Sequence, residues 1–572
     1  MESYKNLLFD LLRVLFVGVV IGILGGLAAN LFVLGVGEVA TLIQQQMSGQ
    51  SQINDGLIRW AALIIGALLI YALKRSFKMD RWHGPGDTIL GAHRPDSPFP
   101  AREGFLSTTA AFISASAGAS VGQYGPVLHF GASVGSQVRA LLLDVLRLPA
   151  RLSPDVYLAC GVAAAISAGF GAPIASVVLV SEAVLRHFSV RAVAPITVSA
   201  IVAAAITPLI FDRSSPYAVE SLMPISMDWS LLPVLLGLGA CAALIAILFM
   251  RSLLRTAAWA KAQNNDLMTL LLAATLMAII GVLVPESVGT GTQSINNLLA
   301  GETSGILAGD AALMLFAKLF ATVLCIGLGL FGGVFSPALF LGAALGYFIG
   351  VVVTGFGYDP NVVPMLTVVG MAAMAGSVIG APIGVVLIVF EFTRSYEFAV
   401  ASILAVSMSS FISTRLFGYS FFDKQLIGRG FDLRQGREFL SLKDMTVSSL
   451  DVEVVEPVGL NMQGKHIVEH LLRSERIEAY VVDADRRLCG VVNILKAMAN
   501  TEAQAETLVS PQYDVISLGD DLQEALAVAR NFVGEAIPVV DDKGVFVGSV
   551  SEGEILGGTL DRQEEVKGRE RN

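Results

Sequence analysis

The chain contains the stretch Gly122-Gln123-Tyr124-Gly125-Pro126, followed directly by an apolar run at residues 127–132. The pattern returns as Gly333-Val334-Phe335-Ser336-Pro337, again followed by an apolar run, at residues 338–343. The two prolines are 211 positions apart (337 − 126). Each copy predicts a glycine-containing turn, then proline at the first helical position, then a helix of small and apolar residues.

A helix start of this kind has a defined chemistry. The first backbone N–H groups lack partners within the helix, and the positive end of the helix dipole lies there. In a membrane, such donors must line a cavity or bind a negatively charged group. The two copies therefore predict two helix starts that face one anion.

The composition indicates the solvent in which most of the chain folds. The 572 residues are 54% hydrophobic and 15% charged, with a mean hydropathy of +0.68, whereas soluble domains contain roughly 25% charged residues. Residues 14–37, 104–138, 319–358 and 360–390 contain no Asp, Glu, Lys or Arg. These windows exceed the ~20 apolar residues that a spanning helix needs. We predict an all-α polytopic membrane protein.

Charge and cysteine content exclude several classes of function. The net charge of −10 argues against nucleic acid as a partner. The four cysteines show no spacing typical of a metal site or a disulfide framework. No Ser/His, paired-acid or metal-ligand pattern supports catalysis, so we do not expect an enzyme.

A second internal repeat supports the first. Gly171-Ala172-Pro173-Ile174 precedes Glu182, and Gly380-Ala381-Pro382-Ile383 precedes Glu391, at an offset of 209 (380 − 171). Two matches at similar offsets predict a tandem structural repeat, about 1–215 and 216–430. An inverted arrangement of the two repeats would bring two helix starts together from opposite sides of the membrane.

The pattern changes near residue 430. From about residue 440 strands alternate with helices in two units, which predicts a soluble α/β domain over residues 440–560. The predicted helices are 467–472 and 522–529, and the predicted strands are 479–482, 490–492, 536–540 and 545–550. Residues 561–572 are highly charged and are predicted to be disordered.

The order of these motifs resembles the CLC family of chloride channels and anion/proton antiporters. Residues 333–337 match the family's GxFxP motif, and Gly84-Pro85-Gly86 stands where the family has GSGIP. The tail resembles a pair of CBS domains. The resemblance implies a CLC-like fold with inverted repeats and broken helices. It also implies a homodimer with one anion pathway per subunit.

The resemblance also implies which residues hold the anion. In the family, backbone N–H groups at helix starts do so, together with two hydroxyl groups. The matching positions here are Gly84, Pro85, Gly86, Tyr124, Gly125, Gly333, Val334, Phe335 and Phe422.

This sequence departs from the family pattern where the mechanism is decided. Tyr124 replaces the gating glutamate, and Ala183, after Glu182, replaces the antiporters' internal proton glutamate. Pro85 replaces the serine of GSGIP, and Phe422 replaces the pore-facing tyrosine. These departures predict an anion channel or passive transporter that is uncoupled from protons, with Tyr124 and Phe422 at the gate.

Each of these residues also has a simpler interpretation. Tyr124 is either a gate, through its bulk or one hydrogen bond, or an aromatic that packs at a helix start. Phe335 and Phe422 are core residues or a hydrophobic constriction. Asp87 would repel an anion unless it is paired. Glu182 and Glu391 have either a structural role or a functional one, since acids within membrane segments are often functional. Lys318 would either attract anions or snorkel to the interface.

Three questions of function stay open at this stage. The replacement of serine by Pro85 resembles the nitrate-preferring branch of the family, so a carrier for nitrate or a small organic anion is the alternative to chloride. A non-conducting, nucleotide-sensing membrane protein is the alternative from another class. The tail either binds an adenosine nucleotide, with Ser551 and Glu554 at the ribose, or only packs as a structural module.

The sequence also predicts a location. A multi-pass protein of this type is expected in the lipid bilayer of a bacterial inner or plasma membrane. Four basic residues follow the second apolar window and suggest a cytoplasmic loop; they are Lys74, Lys78, Arg75 and Arg81. The CBS pair is expected on the cytoplasmic side.

Overall fold

A computed structural model describes residues 2–47, 52–94, 98–145, 147, 152–212, 216–219, 229–300, 305–510 and 512–571. The chain forms two compact units, residues 1–430 and residues 431–572. The first unit is all-α, and the second is a small α/β domain.

The first unit consists of helices α1–α17. Their bounds are α1 Glu2–Gln45, α2 Gln52–Ser76, α3 Pro85–His93, α4 Ala101–Ser116, α5 Tyr124–Ala140, α6 Pro154–Phe170, α7 Pro173–Leu179, α8 Val190–Phe211, α9 Leu232–Ala262, α10 Asp266–Leu283, α11 Thr292–Leu299, α12 Ala308–Gly327, α13 Phe335–Thr354, α14 Val362–Ile379, α15 Pro382–Thr393, α16 Tyr396–Leu416 and α17 Phe421–Ile427. Two π-helical turns, Leu141–Val145 and Val180–Leu185, directly continue α5 and α7.

Within the described residues, nine helical stretches are long and apolar enough to cross a membrane. Three shorter apolar helical stretches accompany them: Pro154–Phe170, Pro173–Leu185 and Pro382–Thr393. Short helices that end inside a membrane protein leave polar backbone ends, which only protein or a cavity can satisfy. The unit is an integral, multi-pass membrane domain with broken helices.

Glycines let the helices of each repeat approach closely. A Cβ added at Gly161 in α6 would lie 1.9 Å from the carbonyl oxygen of Gly131 in α5. In the second repeat, a Cβ at Gly370 in α14 would lie 2.2 Å from the carbonyl oxygen of Gly342 in α13. The same crossing therefore occurs twice, with equivalent glycines, as small residues at membrane helix interfaces allow. Equivalent glycines thus make the same close contact in both halves of the unit.

The sequence Gly84-Pro85-Gly86 predicts an irregular backbone, because two glycines surround a proline. The structure shows this prediction to be wrong: Pro85 is the first residue of α3 and Gly86 is the second. Proline fits this position because the first N–H of a helix needs no intrahelical acceptor.

The second unit contains two similar sheets. Its elements are α18 Gly436–Leu440, β1 Val458–Gly459, α19 Gly464–Arg473, β2 Glu478–Val482, β3 Leu488–Asn493, α20 Ile494–Ala499, α21 Ala505–Leu508, β4 Ile516–Ser517, α22 Leu522–Ala529, β5 Ile537–Val540, β6 Phe546–Val550 and α23 Glu552–Arg571. The sheet orders are β1-β2-β3 and β4-β5-β6, each with one parallel and one antiparallel pair. The register shifts at equivalent places, near Val482 and Val540. The tail is thus two copies of one α/β module.

The charged end of the chain differs from expectation. Residues 561–571 continue α23, where composition predicted disorder. The helix is anchored by buried Ile555 and Thr559, and Arg562 pairs with Glu565 one turn later, at 2.7 Å. Glu, Lys and Arg are good helix formers. Once the first turns of α23 are packed, the helix therefore extends into the charged segment.

Candidate functional site

The two glycine turns of the repeats are hydrogen-bonded to each other. The backbone N–H of Gly122 donates to the carbonyl of Gly333 at 2.7 Å, and the N–H of Gly333 donates back at 2.6 Å. This antiparallel bridge lies two residues before the start of α5 at Tyr124 and of α13 at Phe335. The two helix starts therefore lie side by side, as the repeat predicted.

The close approach explains the glycines of both motifs. A Cβ at Gly125 would lie 2.9 Å from the Cα of Gly333, and a Cβ at Gly333 would lie 2.8 Å from the nitrogen of Gly125. A Cβ at Gly122 would lie 2.7 Å from the carbonyl oxygen of Gly333. Real Cβ atoms do not come this close to backbone, so any side chain would separate the two turns.

The prolines do not begin these helices, and the prediction that they would is wrong. Pro126 and Pro337 are the third helical residues, after Tyr124-Gly125 and Phe335-Ser336. Proline is tolerated there because the whole first turn lacks intrahelical acceptors. As a result, the N–H groups of two residues before each proline can point out of the helix end.

Four helices begin at one cavity. Its lining includes Pro85 at the start of α3, Tyr124 and Gly125 at the start of α5, Phe335 at the start of α13, and Phe422 in the first turn of α17. The starts of α5 and α13 have no side-chain cap, and each contributes roughly half a positive charge from its dipole. Asp87 and Asp423 lie in the first turns of α3 and α17 and oppose the dipoles there. The cavity thus meets two uncapped positive helix ends.

Five of the nine residues that the sequence analysis gave as anion-binding line the cavity. Gly84, Gly86, Gly333 and Val334 adjoin lining residues but do not line the cavity themselves. The full lining is Pro85, Tyr124, Gly125, Leu128, Ile166, Phe170, Leu179, Phe335, Ile379 and Phe422. None of these side chains carries a charge.

Five lining residues were missed by sequence reasoning: Leu128, Ile166, Phe170, Leu179 and Ile379. A signal for two of them was present. Phe170 and Ile379 are 209 positions apart (379 − 170), and each directly precedes a Gly-Ala-Pro-Ile motif. The repeat offset places them at equivalent helix ends, since α6 ends at Phe170 and α14 ends at Ile379.

Comparison with known proteins identifies this architecture. A model of the voltage-gated chloride channel family matches residues 65–414, more than half of the chain. The chain belongs to this family, the CLC family. A CBS-domain model matches residues 505–559, which include the whole second sheet of the CLC chain.

Individual CLC proteins agree with this assignment. A ClcB-like protein of Ralstonia nicotianae is 31% identical over 399 residues, which are 66% of this chain and 90% of that protein. The H+/Cl− exchange transporter ClcA of Vibrio cholerae is 29% identical over 438 residues, 73% of this chain and 89% of the transporter.

Solved CLC structures show the same fold. A slow cyanobacterial Cl−/H+ antiporter matches with a TM-score of 0.63 at 18% identity, covering 74% of this chain and 97% of the antiporter. A eukaryotic CLC transporter matches with a TM-score of 0.61 at 19% identity, covering 96% of this chain and 98% of that transporter.

Asp87, which would repel an anion if it were unpaired, is neutralised in this CLC protein. Both carboxylate oxygens accept hydrogen bonds from Arg81, at 2.5 and 3.0 Å, and Arg429 donates at 3.1 Å. The N–H of Gly84 donates to the same carboxylate at 3.0 Å. Two guanidinium groups outweigh one carboxylate, so the cluster beside the helix starts is net positive.

The environment of Asp87 also determines its ionisation. Burial by itself raises the pKa of the carboxyl, but the hydrogen bond from Arg81 and the charges of Arg429 and Arg81 lower it to about 2. Asp87 is therefore ionised at neutral pH and holds Gly84, the residue before cavity-lining Pro85, in place.

Glu182 and Glu391 cap each other's helices. The carboxylate of Glu182 accepts from the N–H groups of Ile383 (3.2 Å) and Gly384 (2.8 Å) in the first turn of α15. The carboxylate of Glu391 accepts from Ile174 (3.0 Å) and Ala175 (2.7 Å) in the first turn of α7. Acids at helix starts satisfy free donors and oppose the positive dipole end. These contacts assign both glutamates a structural role.

Lys318 does not snorkel, so that alternative is wrong. Its side chain is completely buried. The ammonium donates to the carbonyls of Ser287 (3.0 Å) and Gly289 (2.6 Å) and lies 5.2 Å from the ring centroid of Phe340. The N–H of Gly289 in turn donates to Gly118, at 3.1 Å. Lys318 thus supports the segment that precedes the first helix start.

The nucleotide candidates of the CBS pair lie at the turn from β6 to α23. Ser551 and Glu554 are both exposed, and the hydroxyl of Ser551 accepts from the N–H of Glu554 at 3.1 Å. At the equivalent place in the first module, Asn493 accepts from the N–H of Leu495 at 3.0 Å. Both side chains cap the helix that follows.

Proposed function

We propose that this CLC protein is an anion channel or passive anion transporter that is uncoupled from protons, with Tyr124 as the gate. Membership of the CLC family supports anion transport itself. The observation that carries the mechanism is the convergence of four helix starts on a cavity whose side chains carry no charge.

This arrangement suits conduction. Moving a bare anion from water into an apolar interior costs many kcal/mol unless fixed donors replace the water. Backbone N–H groups and helix dipoles supply that replacement without a buried lysine or arginine that would hold the ion too tightly. The anion is then stabilised enough to enter and weakly enough to leave.

The absence of proton coupling is proposed from two positions. The resemblance places the exchangers' proton-carrying glutamates at Tyr124 and Ala183. A phenol with an ordinary pKa near 10 stays neutral at physiological pH, and alanine carries no proton. Glu182, next to Ala183, is engaged in capping α15. The ClcA relative is named as an exchanger, and we propose that this chain has lost that coupling.

The test is proton movement in proteoliposomes under an imposed chloride gradient. We expect chloride flux without uphill proton pumping, at pH 5 and at pH 7.5 alike. Tyr124→Ala should raise the flux because it removes the obstruction, while Tyr124→Phe, which removes only the hydroxyl, should leave it close to wild type. Proton pumping in a fixed ratio to chloride flux would show that the proposal is wrong. A fall in flux in both variants would instead make the hydroxyl a substrate ligand.

A second candidate substrate is nitrate or a small organic anion. Pro85 and Phe422 line the cavity and offer no hydroxyl group, where the resemblance implies two. The missing hydroxyl groups cost a strongly hydrated halide more stabilisation than they cost a weakly hydrated anion. Competition of nitrate, acetate and chloride in the same flux assay would separate the candidates, and a chloride flux unaffected by equal nitrate would exclude nitrate.

The tail is proposed to lie in the cytoplasm. Arg81, in the basic loop after α2, and Arg429, where the chain leaves the membrane unit, bind the same carboxylate of Asp87. The tail therefore starts on the side of the basic loop, and basic loops are typically cytoplasmic.

The family resemblance further supports a homodimer and an adenosine nucleotide at Ser551 and Glu554. Equilibrium dialysis of the full-length protein with labelled ATP checks the nucleotide.

A further inference from the structure

Phe170 lies at the centre of an aromatic cluster beside the cavity. Its ring centroid is 3.9 Å from that of Tyr124, 5.1 Å from that of Phe335 and 5.9 Å from that of Phe392. The planes of Phe170 and Tyr124 differ by 31°, so these two rings overlap face to face more than edge to face. The Phe170 side chain is 2% exposed.

The backbone next to Phe170 also limits the tyrosine. A Cβ added at Gly169 would lie 3.0 Å from Cε1 and 3.2 Å from Cδ1 of Tyr124. On another side, the ring of Phe335 meets Tyr124 edge to face, with centroids 6.1 Å apart. Tyr124 is thus held in a slot made by the end of α6 and the start of α13, and is 5% exposed.

The slot determines how Tyr124 can move. Phe170 is itself packed against Phe335 and Phe392, so its ring has little room to follow the tyrosine. In a close-packed protein interior, a ring can rotate only when its neighbours move. Any movement of the Tyr124 ring that widens the cavity must therefore separate it from the Phe170 face.

We propose that Phe170 is the positioning residue of the gate: it holds the Tyr124 ring across the pathway by stacking, and the rate of opening depends on breaking this pair. The proposal rests on the proposed role of Tyr124 as the gate. Phe170 does not need to touch the anion for this role. It acts through the tyrosine.

A double-mutant cycle tests this directly. Phe170→Leu removes the aromatic face and keeps an apolar side chain. Chloride efflux from proteoliposomes should rise about two- to tenfold, the population change expected from the loss of one aromatic pair. In the Tyr124→Ala background, where no ring remains to be held, the same substitution should change efflux by less than twofold. If Phe170→Leu does not fold, Phe170→Met, which is closer in volume, takes its place.

Phe392→Leu is the matched control. It removes a ring of the same cluster that contacts Phe170 and Tyr217. It should raise efflux less than Phe170→Leu does, because the stack on Tyr124 remains.

The outcomes separate this proposal from the proposed function. An equal change in both backgrounds would mean that Phe170 acts on cavity shape alone, and only the positioning role would be overturned. If Tyr124→Ala does not raise efflux, the gate and the positioning role both fail. Absence of anion flux in every variant would reject the proposed transport function, and the positioning role with it.

Discussion

At the scale of single residues, this chain keeps charge out of the cavity and pairs it nearby. Pro85, Tyr124, Phe335 and Phe422 line the cavity without a charged group. Asp87, two residues after Pro85, is held by two arginines and a backbone N–H. At the cavity wall itself the helix starts therefore provide the positive potential, and the net positive cluster of Asp87 and its two arginines lies beside them.

Selectivity at Pro85 gives the first residue-scale prediction. Pro85→Ser adds one hydroxyl donor to the cavity wall, and a net hydrogen bond is worth ~1 kcal/mol. Chloride flux relative to nitrate flux should rise about fivefold. Pro173→Ser, at a helix start outside the cavity lining, is the control. An unchanged ratio in Pro85→Ser would place the residue away from the ion.

The stability of the protein at low pH gives the second residue-scale prediction. The folded pKa of Asp87 is about 2, lower than an ordinary Asp value near 3.9. The ionised carboxylate therefore contributes about 2 kcal/mol above pH 4, and this contribution disappears as the pH falls toward 2. Asp87→Asn should lower thermal stability in detergent at pH 7, and the difference from wild type should shrink toward pH 3.

Asp266→Asn is the control for this experiment. Asp266 pairs with Lys74 at 2.6 Å, but its side chain is 56% exposed. Exposed ion pairs contribute little, so the loss should stay within about 0.5 kcal/mol. Equal losses in both variants would contradict a special role for Asp87.

At the scale of elements, the two repeats are held together by reciprocal contacts. Gly122 and Gly333 exchange backbone hydrogen bonds, and Glu182 and Glu391 exchange helix caps. The α5–α6 and α13–α14 crossings are built from equivalent glycines. The symmetry of the fold is thus visible in individual hydrogen bonds and contacts.

The α13–α14 crossing leads to a prediction. Gly370→Ala would place a methyl group 2.2 Å from the carbonyl oxygen of Gly342, so the helices must separate and the start of α13 must shift. We expect loss of monodisperse protein in detergent, or loss of flux in what remains. Gly237→Ala in α9, where a Cβ meets nothing within 4 Å, should be harmless. Normal yield and flux in Gly370→Ala would contradict the close crossing.

At the scale of the whole molecule, two units have separate cores. The membrane unit packs its own helices, while the tail contains one cluster around Ile467 and Val481 and another around Ile537 and Val550. Each α/β module buries one helix face and one sheet face, as a small domain must. Separate cores favour folding of the membrane unit without the tail.

Truncation tests this independence. A chain that ends at Gly436 keeps the complete repeat and should still form a membrane protein that moves chloride, with altered rate. Size-exclusion chromatography and flux in proteoliposomes measure both properties. Complete loss of flux in a well-assembled truncation would show that the tail is part of the pathway rather than a regulator.

Several features followed from the sequence alone because they depend on local patterns. Long uncharged windows predicted that most of the chain lies in a membrane. The offsets of 211 and 209 predicted the structural repeat. Glycine and proline marked the helix starts, although they placed Pro126 and Pro337 two residues too early in their helices. Alternating apolar residues located the strands of the tail.

The remaining features depend on which helix faces meet, and only the tertiary structure decided them. Asp87 finds Arg429, 342 residues away. Glu182 and Glu391 reach across repeats to helix ends that no local pattern indicates. Phe170 reaches Tyr124 because α6 ends where α5 begins. Contacts between distant segments arise from packing, and the periodicity of one segment carries no information about its partner.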